Sequence, residues 1–100
     1  MSEDLISARL HARIQRDFPD PGAAKGIEGA LRKLAEELQD SRQDMERLLA
    51  AAVLSANGDV NAFRSAVRVA RVDWRDLLMD GGLADEDWPG VLDEELGSRR

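Results

Sequence analysis

The chain has no cysteine and no tyrosine, a single histidine, three prolines and only 4% aromatic residues. Without cysteine there is no disulfide, no thiolate nucleophile and no cysteine-ligated zinc or iron–sulfur site, so stability must come from packing. The lone histidine, His11, lacks a second imidazole or cysteine nearby in sequence to complete a metal site or a general-base pair, and reads as a partly exposed helix residue. No G-x-x-x-x-G-K-[ST] loop, G-x-G-x-x-G turn or G-x-S-x-G elbow is present. These absences argue against an enzyme and against a bound cofactor. No apolar run approaches the roughly 18 residues of a membrane span, and Met1-Ser2-Glu3-Asp4 is acidic where a secretory leader would be basic. A cytoplasmic chain that does not engage the membrane is the expectation.

What is there is globular in balance: 43% hydrophobic and 34% charged residues over 100 positions, with a net charge of −6. A chain of this length forms one domain and buries roughly 60–70% of the surface its unfolded form exposes. That domain is placed at 1–97, with 98–100 as a frayed tail. Only Lys25 and Lys33 are lysines, the other bases being arginine. With the abundant alanine, this is the bacterial-like composition that a GC-rich genome alone would produce.

Hydrophobic periodicity is helical throughout, with no strand-like alternation. Ile6, Leu10, Ile14 and Phe18 form an i, i+4 row in a first helix over about 3–18, capped by Ser2. Phe18-Pro19-Asp20-Pro21 ends it, and Asp20-Pro21 is a cap and first-turn pair for a second helix over about 21–39. There Ile27, Leu31, Leu34 and Leu38 make an apolar seam too short for a dedicated coiled coil. Gly22, Gly26 and Ala30 in the same helix would permit a close helix approach. Ser41-Arg42-Gln43-Asp44 resembles a capping box for a third helix ending at Asn57-Gly58. Its Leu48–Ala56 stretch, LLAAAVLSA, is apolar nearly all round, so it is either the central helix or part of a homodimer interface.

Asp59 caps a fourth helix whose apolar face is Phe63, Ala66, Val67 and Ala70. Run on unbroken, that helix would bury Asp73 in its apolar face, so the pattern predicts a break near Val72 with Asp73 capping a short fifth helix. Gly81-Gly82 closes the fifth, and Asp85-Glu86-Asp87 before Trp88-Pro89 opens a last one reaching about Leu96. Asp73-Trp74 and Asp87-Trp88 stand 14 residues apart in similar contexts, which suggests one turn-and-cap device used twice, with the tryptophans as staples. The fold expected is all-α: a compact bundle of four main helices plus one or two short C-terminal ones. Its core draws on Leu10, Ile14, Ile27, Leu31, Leu34, Leu48, Leu49, Ala52, Phe63, Val67, Leu77, Leu78 and one of the two tryptophans.

The one suggestive constellation is Arg64, Arg68 and Arg71, continued across the break by Arg75. Guanidinium groups at helical spacing can hold phosphates or a partner's carboxylates. Residues 60–75 carry a local charge of +3, whereas 76–96 carries −8 and no base. Either the acidic end folds back over the arginines or the stripe stays free, as a solvated face or as a contact for a protein partner. Nucleic acid is disfavoured by the overall acidity and by the lack of aromatics among the bases, although a nucleic-acid-associated regulator remains the alternative function. A helix-turn-helix over 59–80 would have an unusually short turn. The carboxylates Asp80, Asp85, Glu86, Asp87, Asp93, Glu94 and Glu95 do not follow a calcium-loop spacing, and no metal is expected. The reading is a non-enzymatic cytoplasmic protein-interaction or small regulatory module.

Overall fold

A computed structural model describes residues 6–39 and 44–97. Among the described residues six helices follow one another: α1 (Ala8–Asp17), α2 (Pro21–Glu37), α3 (Met45–Ala56), α4 (Val60–Val72), α5 (Trp74–Asp80) and α6 (Trp88–Leu96). No strand occurs among the described residues, and the arrangement is the expected all-α bundle.

Side-chain caps set most of the helix starts. The Asp20 carboxylate accepts from the Ala23 amide with Pro21 following, and Asp59 accepts from the amides of Asn61 and Ala62. Asp73 both ends α4 and caps α5, accepting from the Arg75 amide in an extended backbone conformation (φ −155°, ψ 105°). The helix therefore breaks where continuation would have buried a carboxylate. α5 closes at Gly81, and α6 starts at Trp88 with Pro89 in its first turn.

Two starts differ from the sequence expectation. The first helix begins at Ala8, where the Ser7 hydroxyl accepts from the Leu10 amide. Ser2, the expected cap, lies outside the described residues. Ile6 is buried just ahead of the helix; a side chain anchored in the core from a non-helical position keeps the same apolar spacing, so periodicity overran the true start. The third helix is capped by Asp44, which accepts from the Arg47 amide. The expected cap, Ser41, also lies outside the described residues, as does the 98–100 tail. The expected close approach at Gly22 and Gly26 is not made: a methyl at Gly26 would meet open space, and one at Gly22 would meet only the neighbouring Asp20 carboxylate.

α3 is the axis of the bundle. Leu48 through Val53 are completely buried, and α1, α2, α4, α5 and α6 all pack against this helix. Its three consecutive alanines keep the helix thin on every side, which lets several neighbours surround it. Every residue proposed for the core is buried except Trp74 and Trp88, which are half-buried and packed against it as staples. Of the Leu48–Ala56 stretch offered as a possible homodimer surface, the chain's own helices bury Leu48 through Val53 and Ala56, leaving Leu54 and Ser55 half-buried.

Candidate protein-interaction face

α4 is strongly two-sided. Phe63, Ala66, Val67 and Ala70 are buried, while Arg64, Arg68 and Arg71 share the solvent side. α2 lies alongside α4, and between them is a shallow depression of about 390 Å³ with Ala30, Phe63 and Val67 among its lining and Arg64, Arg68 and Arg71 around it.

The four arginines have different situations. Arg71 reaches across to the last turn of α2 and clasps Glu37 with two hydrogen bonds, Nε to Oε2 at 2.7 Å and Nη2 to Oε1 at 3.2 Å. That guanidinium holds the Glu37 carboxyl below its ordinary value, against a smaller opposing effect of desolvation. Arg75 stays local, with its guanidinium over the Trp74 ring at 5.5 Å and Nε 4.0 Å from Asp73 Oδ1. Arg64 and Arg68 are exposed and make no hydrogen bond or ion pair with any described residue. The stripe is thus two free cations, one clamped to a neighbouring helix and one folded onto its own cap.

The acidic end does not cover them. It docks on the opposite helix pair through arginines that the sequence pattern did not single out. Arg9 on α1 donates Nε and Nη2 to the Glu46 carboxylate and Nη1 to Asp93 at 2.6 Å and to the Gly97 carbonyl at 2.9 Å. Ser7 Oγ donates to the same Glu46 carboxylate. Arg9 is raised above the ordinary arginine value, chiefly by its bonds to Glu46, with desolvation opposing and Asp93 adding to the effect. One turn on, Arg13 donates to Asp17, to the Glu95 carbonyl at 2.7 Å and to the Glu95 carboxylate at 3.3 Å. Arg47 on α3 donates Nε to the Leu83 carbonyl and sits 4.9 Å above the Trp88 ring. Arg9 and Arg13 flank the apolar row of α1, and that position is the only sequence signal that could have marked them.

His11 is half-exposed as expected, and it has a neighbour that spacing alone did not reveal. Its Nδ1 lies 2.9 Å from Oε2 of Glu28, the buried charged residue of α2, though the ring N–H is not aligned for a hydrogen bond. Among the described residues no three histidine, aspartate or glutamate side chains converge where they could hold an ion, and no helix is long and apolar enough to cross a membrane. No family model, curated protein or solved structure matches the chain.

Proposed function

We propose that the chain is a non-enzymatic, cytoplasmic protein-interaction or small regulatory module whose contact face is centred on Arg64 and Arg68, with Arg71 and Arg75 at its edges. One observation carries this reading. In a chain of net charge −6, two guanidinium groups one helical turn apart stand free beside an apolar-floored depression, while Asp93 and Glu95 of the acidic C-terminal helix are held by Arg9 and Arg13. Arginine is the cation best suited to a planar carboxylate, and apolar area next to it supplies the rest of a protein contact.

The alternative of a nucleic-acid-associated regulator would use the same side chains. It has fewer of them available than the sequence suggested, since Arg71 is already neutralised by Glu37, and two free cations give little counterion release on a duplex.

Fluorescence anisotropy with labelled poly-L-glutamate and, separately, a labelled random-sequence DNA duplex at low salt separates the two. The expected result is polyglutamate binding that is lost in the Arg64→Glu/Arg68→Glu variant. Duplex binding stronger than polyglutamate binding, or no effect of the double substitution, would overturn the proposal.

A further inference from the structure

The large apolar side chains left exposed among the described residues are Val60 at 37%, Val72 at 89% and Met79 at 67%. All three belong to α4 or α5. On α4, Val60, Arg64, Arg68 and Val72 succeed one another every four residues along one side of the helix. On α5, Leu77 and Leu78 point into the core, so the opposite side presents Asp76, Met79 and Asp80. Asp76 and Asp80 are exposed, and their carboxylates have no partner among the described residues.

These two surfaces are complementary in charge and in spacing. Two free cations stand four residues apart on α4 and two free anions four residues apart on α5, which is about 6 Å along each helix axis. Between the two aspartates is an exposed methionine, a side chain flexible enough to fill an irregular hollow. Between the two arginines and α2 is a hollow with Ala30, Phe63 and Val67 in its lining. Within one molecule, α4 and α5 are joined through Asp73 alone and both pack on α3, and neither arginine reaches either aspartate.

We infer that the face takes a second copy of this chain, with α4 of each molecule receiving Asp76, Met79 and Asp80 from α5 of the other. This rests on the protein-contact reading above and names its partner. A contact in which each molecule supplies both halves closes as a two-fold dimer and brings the α4 and α5 surfaces under cover together. Other charges on or beside these surfaces are Arg75, turned onto Trp74 and 4.0 Å from Asp73, the Arg71–Glu37 pair with Lys33 close enough to act on Glu37, and Arg13 and Glu95, paired with each other and lining the same depression as Asp80. The pairing opposes the general repulsion between two chains of net charge −6, so the dimer is expected to be weak and to loosen as salt rises.

Sedimentation equilibrium on the intact chain tests this with a charge exchange. Arg64→Glu/Arg68→Glu makes both surfaces acidic, and Asp76→Arg/Asp80→Arg makes both basic. Each variant alone is expected to dimerise about tenfold or more weakly than wild type. An equimolar mixture is expected to recover a dimer containing one of each, because both opposed pairs are then of unlike charge. Circular dichroism confirms that each variant is folded. Since Asp76 lies in the first turn of α5, Asp80→Arg alone serves as a second variant that suits the C-terminal end of that helix.

A wild-type chain that stays monomeric while still binding polyglutamate through Arg64 and Arg68 overturns the self-association and leaves the protein-contact reading standing. A monomer that binds neither removes both. A mixture that fails to recover the dimer, or an ascending series of larger species in place of one dimer, also overturns the proposal.

Discussion

Replacing Gly81 by alanine tests how closely α5 is set against the central helix. Gly81 has φ −85° and ψ −3°, ordinary right-handed values open to any residue. Backbone conformation alone would make Gly81→Ala stabilising by about 0.4–1 kcal/mol, through the lost freedom of the unfolded chain. The structure reverses that sign. A methyl at Gly81 would lie 2.6 Å from Ala51 Cα, 2.7 Å from its carbonyl oxygen and 2.8 Å from its Cβ. Two of those atoms are backbone in the middle of α3, where Ala50, Ala51 and Ala52 are completely buried, so they cannot swing aside. The end of α5 must instead retreat by about 1 Å to reach normal contact distance, which also loosens Leu77 and Leu78. Overpacking of this kind costs about 1–3 kcal/mol, and each kcal/mol lowers the midpoint of a chain this size by about 4–8 °C. Gly90→Ala in α6 is the control, since its methyl meets nothing within 4 Å and removes a glycine from a helix, a gain of about 0.5–1 kcal/mol. Urea and thermal unfolding followed by circular dichroism measure both. If Gly81→Ala proves as stable as wild type or more so, the close approach of α5 to α3 is refuted.

Arg9 and Glu46 have side chains only 9% and 11% exposed, so Arg9→Met leaves a largely buried carboxylate without its main donor and should cost about 1–3 kcal/mol by urea denaturation. A loss below about 0.5 kcal/mol, as at ordinary surface sites, would show that the node contributes little to fixing α6. Glu37 should titrate below an ordinary glutamate in a carbon-detected NMR titration, and Arg71→Ala should return it to the ordinary range. Because its folded value is depressed, this carboxylate's stabilising contribution is present above its unfolded pKa and is lost as pH falls through the lowered folded value. An unshifted Glu37 in the wild type would mean that the clasp is not populated in solution.

The part of the candidate face readable in sequence was its chemistry, and the part not readable was its occupancy. Arg64, Arg68 and Arg71 fall on one side of α4 because residues three and four apart share a helix face, which follows from spacing alone. That Arg71 is clasped by Glu37 depends on α2 lying beside α4, a pairing of residues 34 positions apart. The acidic end was visible as a block of charge, but its destination was not. Arg9 and Arg13 differ from Arg64 and Arg68 in no local respect, being arginines one turn apart on an amphipathic helix. They hold Asp93 and Glu95 because α6 packs against α1 and α3.

By itself the sequence determined the helical class, the break at Asp73, the starts at Asp20 and Asp59, and much of the core, though not Leu83 or Leu92, because caps and apolar periodicity are local signals acting within a few residues. Only the tertiary structure decided which helix is surrounded, where the first helix truly begins, and which arginines are left unpaired. Surface ion pairs are weak individually, so they follow the docking of the apolar faces. Docking is set by how the side chains of distant helices fit one another, which no local window contains. The charged stripe that the sequence offered whole thus became two free arginines, and the structure supplied the exposed Asp76, Met79 and Asp80 that complement them.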